Sequence, residues 1–540
     1  MELELRIDVA TASASRRGLP MIDGEMQAWA LTLDKFIDHA ARWHPDTEVV
    51  TATEGGGRTR IGYADLRERS LKASAVLSEL GVGRGDRVAT LAWNSQAHVE
   101  VWYAVVGMGA VCHTLNPRLT EAQLAVMTSQ SQAKILVASG DLAPLARRVA
   151  ARTPSLEQVL VIDDQGGAGS LEARLADASA NHVWGDFNET TPSGLCFTSG
   201  TTGAPKGVTY THRSSYLHTL RLLQADVMAI TARDTVLAAV PMFHANAWGL
   251  PFAAPAAGAR LVLPGKALDG ASLATLIREE AVTIAVGIGT VWLGVVEHLE
   301  AYGGDTPSLR RVIVGGAPMA PALMDRIEQR LGVTVQTSWG MTELSPLGTC
   351  APPGDPDRSA QNSGRIAVGV DLLLTDAKGR PLPEQRGFEG HLHVRGAAVL
   401  ERYFGEGAPA TNADGWFNTG DLARIGADGA LTITGRSKDL IKSGGEWINP
   451  AEIEAVINEL PEVSLAAVIG RPDAKWGERP LLIVQTRESS DISDEALLAP
   501  LHGRVASWWI PDEVVRLEQM PLASTGKIDK MRLRVEHAGT

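Results

Sequence analysis

Cysteine is scarce in this chain, and its few cysteines lie far apart. They are Cys112, Cys196 and Cys350, and no CxxC pair occurs. Disulfide scaffolds and cysteine-ligated zinc sites need several closely spaced cysteines, so neither is expected. This cysteine usage favours a reduced, cytoplasmic protein.

Long apolar runs are missing as well. The N-terminus, MELELRIDVATASASRRG, lacks the apolar core of a signal peptide. The most apolar stretch, residues 237–263, is interrupted by Pro241, Pro251, Pro255 and Arg260. A membrane-spanning helix needs ~20 predominantly apolar residues. We therefore expect no stable membrane insertion and interpret this stretch as buried core.

Positive charge is not in excess either. The formal net charge is −13 and the pI is about 5.5. A nucleic-acid backbone would be repelled by that average charge, so general nucleic-acid binding is not expected. A small anionic ligand remains compatible with it, because a local loop can still offer lysines and backbone N–H groups.

What the sequence does contain is a large potential core and a regular alternation of elements. The 540 residues are 44% hydrophobic, which predicts three or four structural units at roughly 100–200 residues per domain. Short β-branched runs alternate with helical patterns, and these runs are RVATLAW, KILVAS, QVLVIDD, RLVLPG, TIAVGI, RVIVGG and TVQTSW. This alternation is typical of mostly parallel sheets covered by helices.

The pattern changes after about Gly364. Turn-rich segments (VDLLLTDAKGRPL, GHLHVRG and DGALTITG) predict a β-rich subdomain over residues 365–435. A last region, residues 439–540, has its own helix and strands behind a short link at 436–438. The predicted fold is α/β, with a large N-terminal domain over 1–435 and a small, mobile α+β C-terminal domain.

The segment with the strongest chemical signal is FTSGTTGAPKGV, residues 197–208. It combines three glycines, four hydroxyl residues and Lys206 in one short stretch. Glycines let a backbone approach phosphates closely, and hydroxyl and ammonium groups add donors. The segment does not match the Walker A pattern. A phosphate-binding loop is the favoured interpretation, and a flexible surface loop is the alternative.

Four further motifs follow this loop in a fixed order: SWGMTE, GWFNTGDLA, GRSKDLIKSGGEWINPAEIE and STGKIDK. With all five, the chain resembles the adenylate-forming superfamily of acyl-CoA synthetases, adenylation domains and luciferases over nearly its whole length. The resemblance implies ATP, Mg²⁺ and coenzyme A as ligands. It also implies a C-terminal domain that rotates between two half-reactions about a hinge at Lys438.

The resemblance further assigns residues to ATP. It places Trp339 on adenine, and Asp421 and Arg436 on the ribose. It places the phosphate loop on the β- and γ-phosphates, Thr342 on the α-phosphate and Glu343 on Mg²⁺. Lys527 would contact both the α-phosphate and the substrate carboxylate, so Lys527, Thr342 and Glu343 are the catalytic candidates. The complete ATP-binding set is Thr198, Ser199, Gly200, Thr201, Thr202, Gly203, Lys206, Gly316, Ala317, Ser338, Trp339, Gly340, Met341, Asp421 and Arg436.

The other two substrates have their own candidate residues. The segment VPMFHANAW resembles the family segment beside the acyl pocket, so the resemblance implies a pocket formed by His244, Trp248 and, after RVIV, Gly315. The resemblance assigns the pantetheine arm of coenzyme A to one loop, made of Ser443, Gly444, Gly445 and Glu446. His244 is given no acid–base role, because a carboxylic acid is already ionised at neutral pH.

Several candidates also have an ordinary structural interpretation. Glu343 alone could be a solvated charge, Asp421 a helix N-cap, and Lys527 a surface lysine. His244 could be a satisfied core histidine, and residues 315–317 a plain strand-to-helix turn. The resemblance favours the functional interpretation of each.

The expected reaction is ATP-dependent joining of a carboxylic acid to coenzyme A through an acyl-adenylate. The segments WNSQAHVEVWYAVVGMGAVCHTLNPRL and ASWWIPDEVV resemble the medium- and long-chain fatty acyl-CoA ligase branch, which includes 3-methylmercaptopropionate ligases. An arylalkanoate ligase, transfer to a carrier protein or to oxygen, and a non-catalytic acyl or nucleotide sensor are the alternatives. A homodimer is left open.

Overall fold

The structure is a computed structural model that describes residues 24–162, 167, 169–198, 205–444, 446–487, 490–523 and 526–538. The chain divides into two compact units, Met1–Ala30 and Leu31–Thr540. The described residues of the first unit, 24–30, carry no helix or strand. The helices and strands named below belong to the second unit.

The helices are mostly short, and polar side chains start several of them. Ser95, Thr120, Thr211 and Asp269 each accept a backbone N–H of the first turn, which stabilises a helix N-terminus. The helices are α1 Asp34–Trp43, α2 Tyr63–Glu79, α3 Gln96–Gly107, α4 Glu121–Ser131, α5 Ala143–Ala151, α6 Leu171–Leu175, α7 His212–Leu222, α8 Leu250–Ala257, α9 Gly270–Glu279, α10 Gly289–Tyr302, α11 Pro321–Leu331, α12 Pro450–Ile457, α13 Asp494–Leu498 and α14 Lys530–His537.

Each of the seven predicted β-branched runs contains a strand, and the structure has further strands outside these runs. They are β1 Glu48–Ala52, β2 Arg58–Gly62, β3 Arg87–Leu91, β4 Val111–Thr114, β5 Ile135–Ser139, β6 Gln158–Ile162, β7 Pro192–Phe197, β8 Gly207–Thr211, β9 Thr235–Ala238, β10 Arg260–Leu263, β11 Ile284–Gly287, β12 Arg311–Val314, β13 Thr334–Gly340, β14 Leu347–Cys350, β15 Arg365–Ile366, β16 Val370–Thr375, β17 Glu389–Gly396, β18 Phe417–Ile425, β19 Leu431–Arg436, β20 Ile441–Ser443, β21 Glu446–Ile448, β22 Val463–Asp473, β23 Gly477–Thr486 and β24 Glu513–Arg516.

Two mostly parallel sheets form the larger part of the fold. One has the order β6-β5-β3-β4-β7-β8, and the other has the order β15-β14-β13-β12-β11-β9-β10-β1-β2. Their central strands pair in parallel, and the antiparallel pairs β7–β8, β13–β14, β14–β15 and β1–β2 lie toward the edges. The expectation of helix-covered, mostly parallel sheets is confirmed.

Two smaller sheets follow along the chain. Strands β16 to β19 form an antiparallel sheet in sequence order, which is the β-rich part that the turn pattern predicts. Strands β20 to β24 form the last sheet, and helices α12 and α14 pack on its strand β22. The division between them at residues 436–438 stays a prediction.

The apolar stretch at residues 237–263 is buried, as expected. It contributes the end of β9, helix α8 and strand β10, and Leu237, Leu250, Leu261 and Leu263 have no measurable exposure. Throughout the part of the chain that the structure describes, no helix is both long and apolar enough to cross a membrane.

Two buried side chains of helix α7 hold strand β14 in place. Arg221 donates to the carbonyl oxygens of Leu347 at 2.8 Å and Val368 at 3.1 Å. The backbone N–H of Leu347 donates to Nε2 of His218 at 3.3 Å. Burial lowers the pKa of Arg221 to about 10. Since β14 pairs with β13, helix α7 fixes the strand that carries Trp339.

Replacing Arg221 with methionine should therefore lower the melting temperature. The substitution leaves the buried carbonyl group of Leu347 without this donor, which costs on the order of 1–3 kcal/mol, and also removes the part-buried bond to Val368. Calorimetry would measure the change, with Arg213→Met, an exposed arginine of the same helix, as the control. Equal melting temperatures for the two variants would contradict the structural role of Arg221.

Candidate active site

The phosphate loop connects β7 to β8 as a hairpin. Its two ends are held together: the N–H of Thr198 donates to the carbonyl of Lys206 at 2.9 Å, and the N–H of Lys206 donates to the Thr198 hydroxyl at 3.4 Å. The five predicted loop residues Ser199, Gly200, Thr201, Thr202 and Gly203 lie outside the described residues. The hairpin therefore fixes where the loop leaves and re-enters the sheet.

Trp339, Asp421 and Arg436 meet although they are far apart in sequence. The indole Nε1–H of Trp339 donates to Oδ2 of Asp421 at 2.9 Å. Nε of Arg436 lies 3.0 Å from the other oxygen, Oδ1. Asp421 is 2% exposed, so its charge is buried but paired. The structure thus brings together the three residues that the sequence assigns to adenine and ribose.

The local structure confirms one expectation about these residues and corrects another. Strand β13 contains the whole predicted run TVQTSW and ends at Gly340, and its residues from Ser338 to Gly340 pair with β14. A Cβ at Gly340 would lie 2.2 Å from the carbonyl oxygen of Pro346, so only glycine fits this pairing. The helix N-cap interpretation of Asp421 is wrong, because Asp421 lies inside strand β18.

Glu343 lies in a short 3₁₀ turn after β13 and is largely buried. Burial raises the pKa of its carboxyl group, and a hydrogen bond from Tyr403 opposes that effect. The Tyr403 hydroxyl donates to Oε1 of Glu343 at 2.9 Å. The neighbouring Thr342 is held through its carbonyl oxygen, which accepts from the hydroxyl of Tyr210 at 2.9 Å.

The ammonium of Lys527 interacts with this group of charges. Burial lowers its pKa to about 8; Arg436 and Lys438 act in the same direction, while Asp421 and Glu343 oppose them. The four charged residues come from segments between 343 and 438, and Lys527 comes from near the C-terminus. Lys527 is exposed, as the surface-lysine interpretation holds, but its charge belongs to this group.

The candidate acyl-pocket residues are neighbours of Lys527. A Cβ on Gly316 would lie 3.9 Å from Cε of Lys527 and 4.0 Å from the Trp248 ring. A Cβ on Gly315 would lie 3.1 Å from the same ring and 2.5 Å from the Ser338 hydroxyl. The two glycines thus leave room for the indole beside the lysine.

The backbone that carries Trp248 is unusual. Residues 245–248 all have positive φ angles, between 43° and 55°, which non-glycine residues rarely adopt. His244 precedes this turn, and burial, with a contribution from Lys527, lowers its pKa to about 4. The imidazole is therefore neutral at neutral pH.

The predicted coenzyme A loop lies in the last sheet. Ser443 ends β20, Glu446 begins β21, and the N–H of Gly444 donates to the carbonyl of Trp476 at 2.7 Å. Gly445 lies outside the described residues. Gly444 thus contacts Trp476, which is not one of the ATP-binding candidates.

The remaining candidates occupy the edges of the site. Lys438 lies in a turn closed by a hydrogen bond from the N–H of Asp439 to the carbonyl of Arg436, 3.0 Å long. Met341 packs beside Trp339 in the core under β16 to β19, and Ala317 is exposed.

Sequence reasoning missed Tyr403 and Tyr210. Each makes its contact with the SWGMTE segment through a phenol hydroxyl, from positions 60 and 132 residues away. Neither tyrosine belongs to one of the five motifs. The segment ERYFG, with a tyrosine beside two charged residues, offers only a weak signal.

Family models match both parts of the chain. The model of the AMP-binding enzyme matches residues 37–404, and the model of the AMP-binding enzyme C-terminal domain matches residues 452–527. The chain belongs to the AMP-binding enzyme family. The expectation from the five motifs is thereby confirmed at the level of the family.

Relatives of this AMP-binding enzyme are similar over nearly their whole length. A 3-methylmercaptopropionyl-CoA ligase of Ruegeria lacuscaerulensis is 38% identical over 530 residues, which is 95% of this chain and 98% of that protein. A medium-chain-fatty-acid–CoA ligase of Ectopseudomonas oleovorans is 40% identical over 531 residues, 95% of this chain and 97% of that protein. The crystal structure of ATP-bound MatB from Rhodopseudomonas palustris has 28% identity and a TM-score of 0.83, and the match covers 93% of this chain and 99% of that one.

The Trp339–Asp421 contact predicts a nucleotide-selective effect. In Trp339→Phe the ring remains but the indole N–H that orients Asp421 is lost. Discrimination between ATP and 2′-deoxyATP, measured as the ratio of kcat/KM values for pyrophosphate release, should fall about tenfold, the effect of one charge-assisted hydrogen bond. Trp43→Phe, which changes an exposed tryptophan, is the control. An unchanged ratio in Trp339→Phe would contradict the contact's role.

Proposed function

We propose that the acid activated by this acyl-CoA ligase is a medium-chain fatty acid or a short substituted alkanoic acid such as 3-methylmercaptopropionate. The chain is an AMP-forming acid–thiol ligase that uses ATP, Mg²⁺ and coenzyme A. The observation that carries the choice of acid is the 38–40% identity, over 95% of this chain, to ligases named for those two acids.

In the first half-reaction a carboxylate oxygen of the acid attacks the α-phosphorus of ATP. The bond to pyrophosphate breaks, and acyl-AMP forms. No general base is needed, since the acid is already ionised, and neutral His244 is consistent with that. The barrier comes from bringing two anions together, and the ammonium of Lys527 lowers it by lying between them.

The site fits Mg²⁺ as the accompanying ion. Among the described residues no cluster of three or more histidine, cysteine or acidic side chains is present. Glu343 offers one buried carboxylate whose Oε1 already accepts from Tyr403. Magnesium binds through one or two carboxylates plus substrate phosphates, so Glu343 would hold it beside the phosphates, where the ion would neutralise their charge.

In the second half-reaction the thiol of coenzyme A attacks the acyl carbon, and AMP leaves as the thioester forms. The Lys527 side chain occupies the site, whereas the Gly444 loop contacts the residues of its own sheet. We propose that rotation about Lys438 exchanges the two. The turn from Arg436 to Asp439 consists of a few residues whose φ and ψ angles could change to allow such a rotation.

A second candidate acid class is aromatic. A feruloyl-CoA synthase of Amycolatopsis is 32% identical over 490 residues, 90% of this chain.

The discriminating experiment is CoA-dependent AMP release with straight-chain, methylthio-substituted and aromatic acids. The alkanoic proposal requires the highest kcat/KM within the first two groups. AMP release that does not depend on CoA would instead favour transfer to a carrier protein. We also propose that the protein is cytoplasmic and forms a homodimer.

Trp248 should set the length of the acid. In Trp248→Ala the space filled by the indole beside Gly315 opens, so the preferred chain should lengthen while the KM for ATP stays within about twofold. The measurement is kcat/KM over acids of increasing length, with Trp43→Ala as the control. Removing a buried aromatic ring can cost ~3–5 kcal/mol, so melting temperatures are compared. An equal loss for every acid would contradict pocket lining.

Lys527 and Gly444 should affect different half-reactions. Lys527→Ala should reduce pyrophosphate release by about 100-fold or more, as expected for a lost electrostatic contact to the transition state. Given preformed acyl-AMP and coenzyme A, this variant should still form thioester at near the wild-type rate. Gly444→Leu should do the reverse, because its Cβ would meet the Trp476 ring at 2.9 Å and obstruct the loop. If folded forms of both variants lose both half-reactions equally, the exchange proposal is wrong.

A further inference from the structure

Tyr403 connects two elements of the candidate site that are distant in sequence. It lies in the segment between β17 and β18, and the backbone around it is fixed on both sides. The N–H of Leu400 donates to the carbonyl of Glu343, and the N–H of Phe404 donates to the carbonyl of Gly207, each at 2.8 Å. The tyrosine is thus held between the Glu343 turn and the strand that leaves the phosphate loop.

The hydroxyl of Tyr403 faces one of these elements. It donates to Oε1 of Glu343 at 2.9 Å, and a phenol remains a donor at neutral pH because its ordinary pKa is about 10. This hydrogen bond occupies one carboxylate oxygen and restricts rotation of the carboxylate. An ionised carboxylate has about four lone-pair sites, so it can still bind a cation.

The ring of Tyr403 faces the other element. The ammonium Nζ of Lys206 lies 4.6 Å from the ring centroid, within the range of a cation–π interaction. Nζ of Lys206 also lies 3.5 Å from Oε1 of Glu406. Lys206 is half exposed, so the attraction contributes little to the stability of the fold. Its consequence is the position of the ammonium group.

We propose that Tyr403 is a positioning residue that orients Glu343 through its hydroxyl and Lys206 through its ring before ATP binds. Its hydroxyl prepares the carboxylate for Mg²⁺, and its ring keeps the lysine directed to the phosphate site. The proposal rests on the proposed function, because that function gives Glu343 and Lys206 their ligands. It assigns to one side chain two effects that can be separated by substitution.

The test is ATP binding by calorimetry, first in EDTA and then with Mg²⁺. Tyr403→Phe keeps the ring, so its affinity in EDTA should equal that of the wild type. The gain in affinity that Mg²⁺ brings should shrink about tenfold, the effect of one hydrogen bond to a charged group. Tyr403→Leu should lose that gain equally and should also bind ATP about threefold more weakly in EDTA, as an exposed cation–π contact implies.

Two controls separate placement from general damage. Tyr302→Phe changes a tyrosine that is 81% exposed and should leave both affinities unchanged. Glu406→Gln removes the second partner of Lys206 but keeps the ring, and should not reproduce the Tyr403→Leu loss in EDTA. An Mg²⁺ gain in Tyr403→Phe equal to that of the wild type, or equal EDTA affinities for Phe and Leu, would overturn the proposal.

The proposed function has its own readout in the same samples. If the wild type binds ATP but releases no pyrophosphate with any acid, the function fails, and the binding comparison still judges Tyr403. If the wild type is active and both Tyr403 variants bind ATP like the wild type, the function stands and the inference about Tyr403 fails.

Discussion

The site depends on the charges that surround the ammonium of Lys527. Burial lowers its pKa to about 8, and Arg436 and Lys438 add repulsion that Asp421 and Glu343 only partly offset. A cation held in such surroundings gains most when anions are delivered to it. In the proposed reaction those anions are the α-phosphate of ATP and the carboxylate of the acid. The charge of Lys527 would thus be unfavourable before substrates bind and relieved when they bind.

The rest of the fold places the partners of that charge. Strands β13, β18 and β19 bring Trp339, Asp421 and Arg436 together, and both oxygens of Asp421 are engaged. The glycines after β12 leave room for Trp248 beside the lysine. Lys527 itself comes from the region of the last sheet, so the cation would leave the site if that region rotated. This arrangement offers a physical reason for separating two half-reactions in time.

Sequence reasoning predicted many of the strands and the identity of most charged residues, because these depend on local patterns. The β-branched runs indicated seven strands of the two large sheets, and five motifs indicated Lys206, Glu343, Asp421, Arg436 and Lys527. Their mutual contacts are different, since they depend on tertiary packing. No pattern indicates that the Trp339 indole N–H bonds to Asp421, 82 residues away.

The misses have physical causes of the same kind. Strand β14 returns antiparallel beside the end of β13, and a return strand cannot be inferred from TVQTSW alone. Asp421 lies in a strand where a local pattern allowed a helix N-cap. The left-handed turn at residues 245–248 involves alanine, asparagine and tryptophan, none of which is typical of repeated positive φ angles.

Adenylation that uses the Lys527 ammonium, whose pKa its surroundings lower, should depend on pH. The quantity to measure is kcat/KM for pyrophosphate release, which reports ionisations of the free enzyme and substrates. For the wild type it should decline as the pH rises through about 8, where the ammonium loses its proton. In Lys527→Arg, which stays protonated to pH values above ~12, the residual activity should show no such decline. A wild-type profile that stays flat to high pH, or the same decline in Lys527→Arg, would show that the Lys527 ammonium does not have this role.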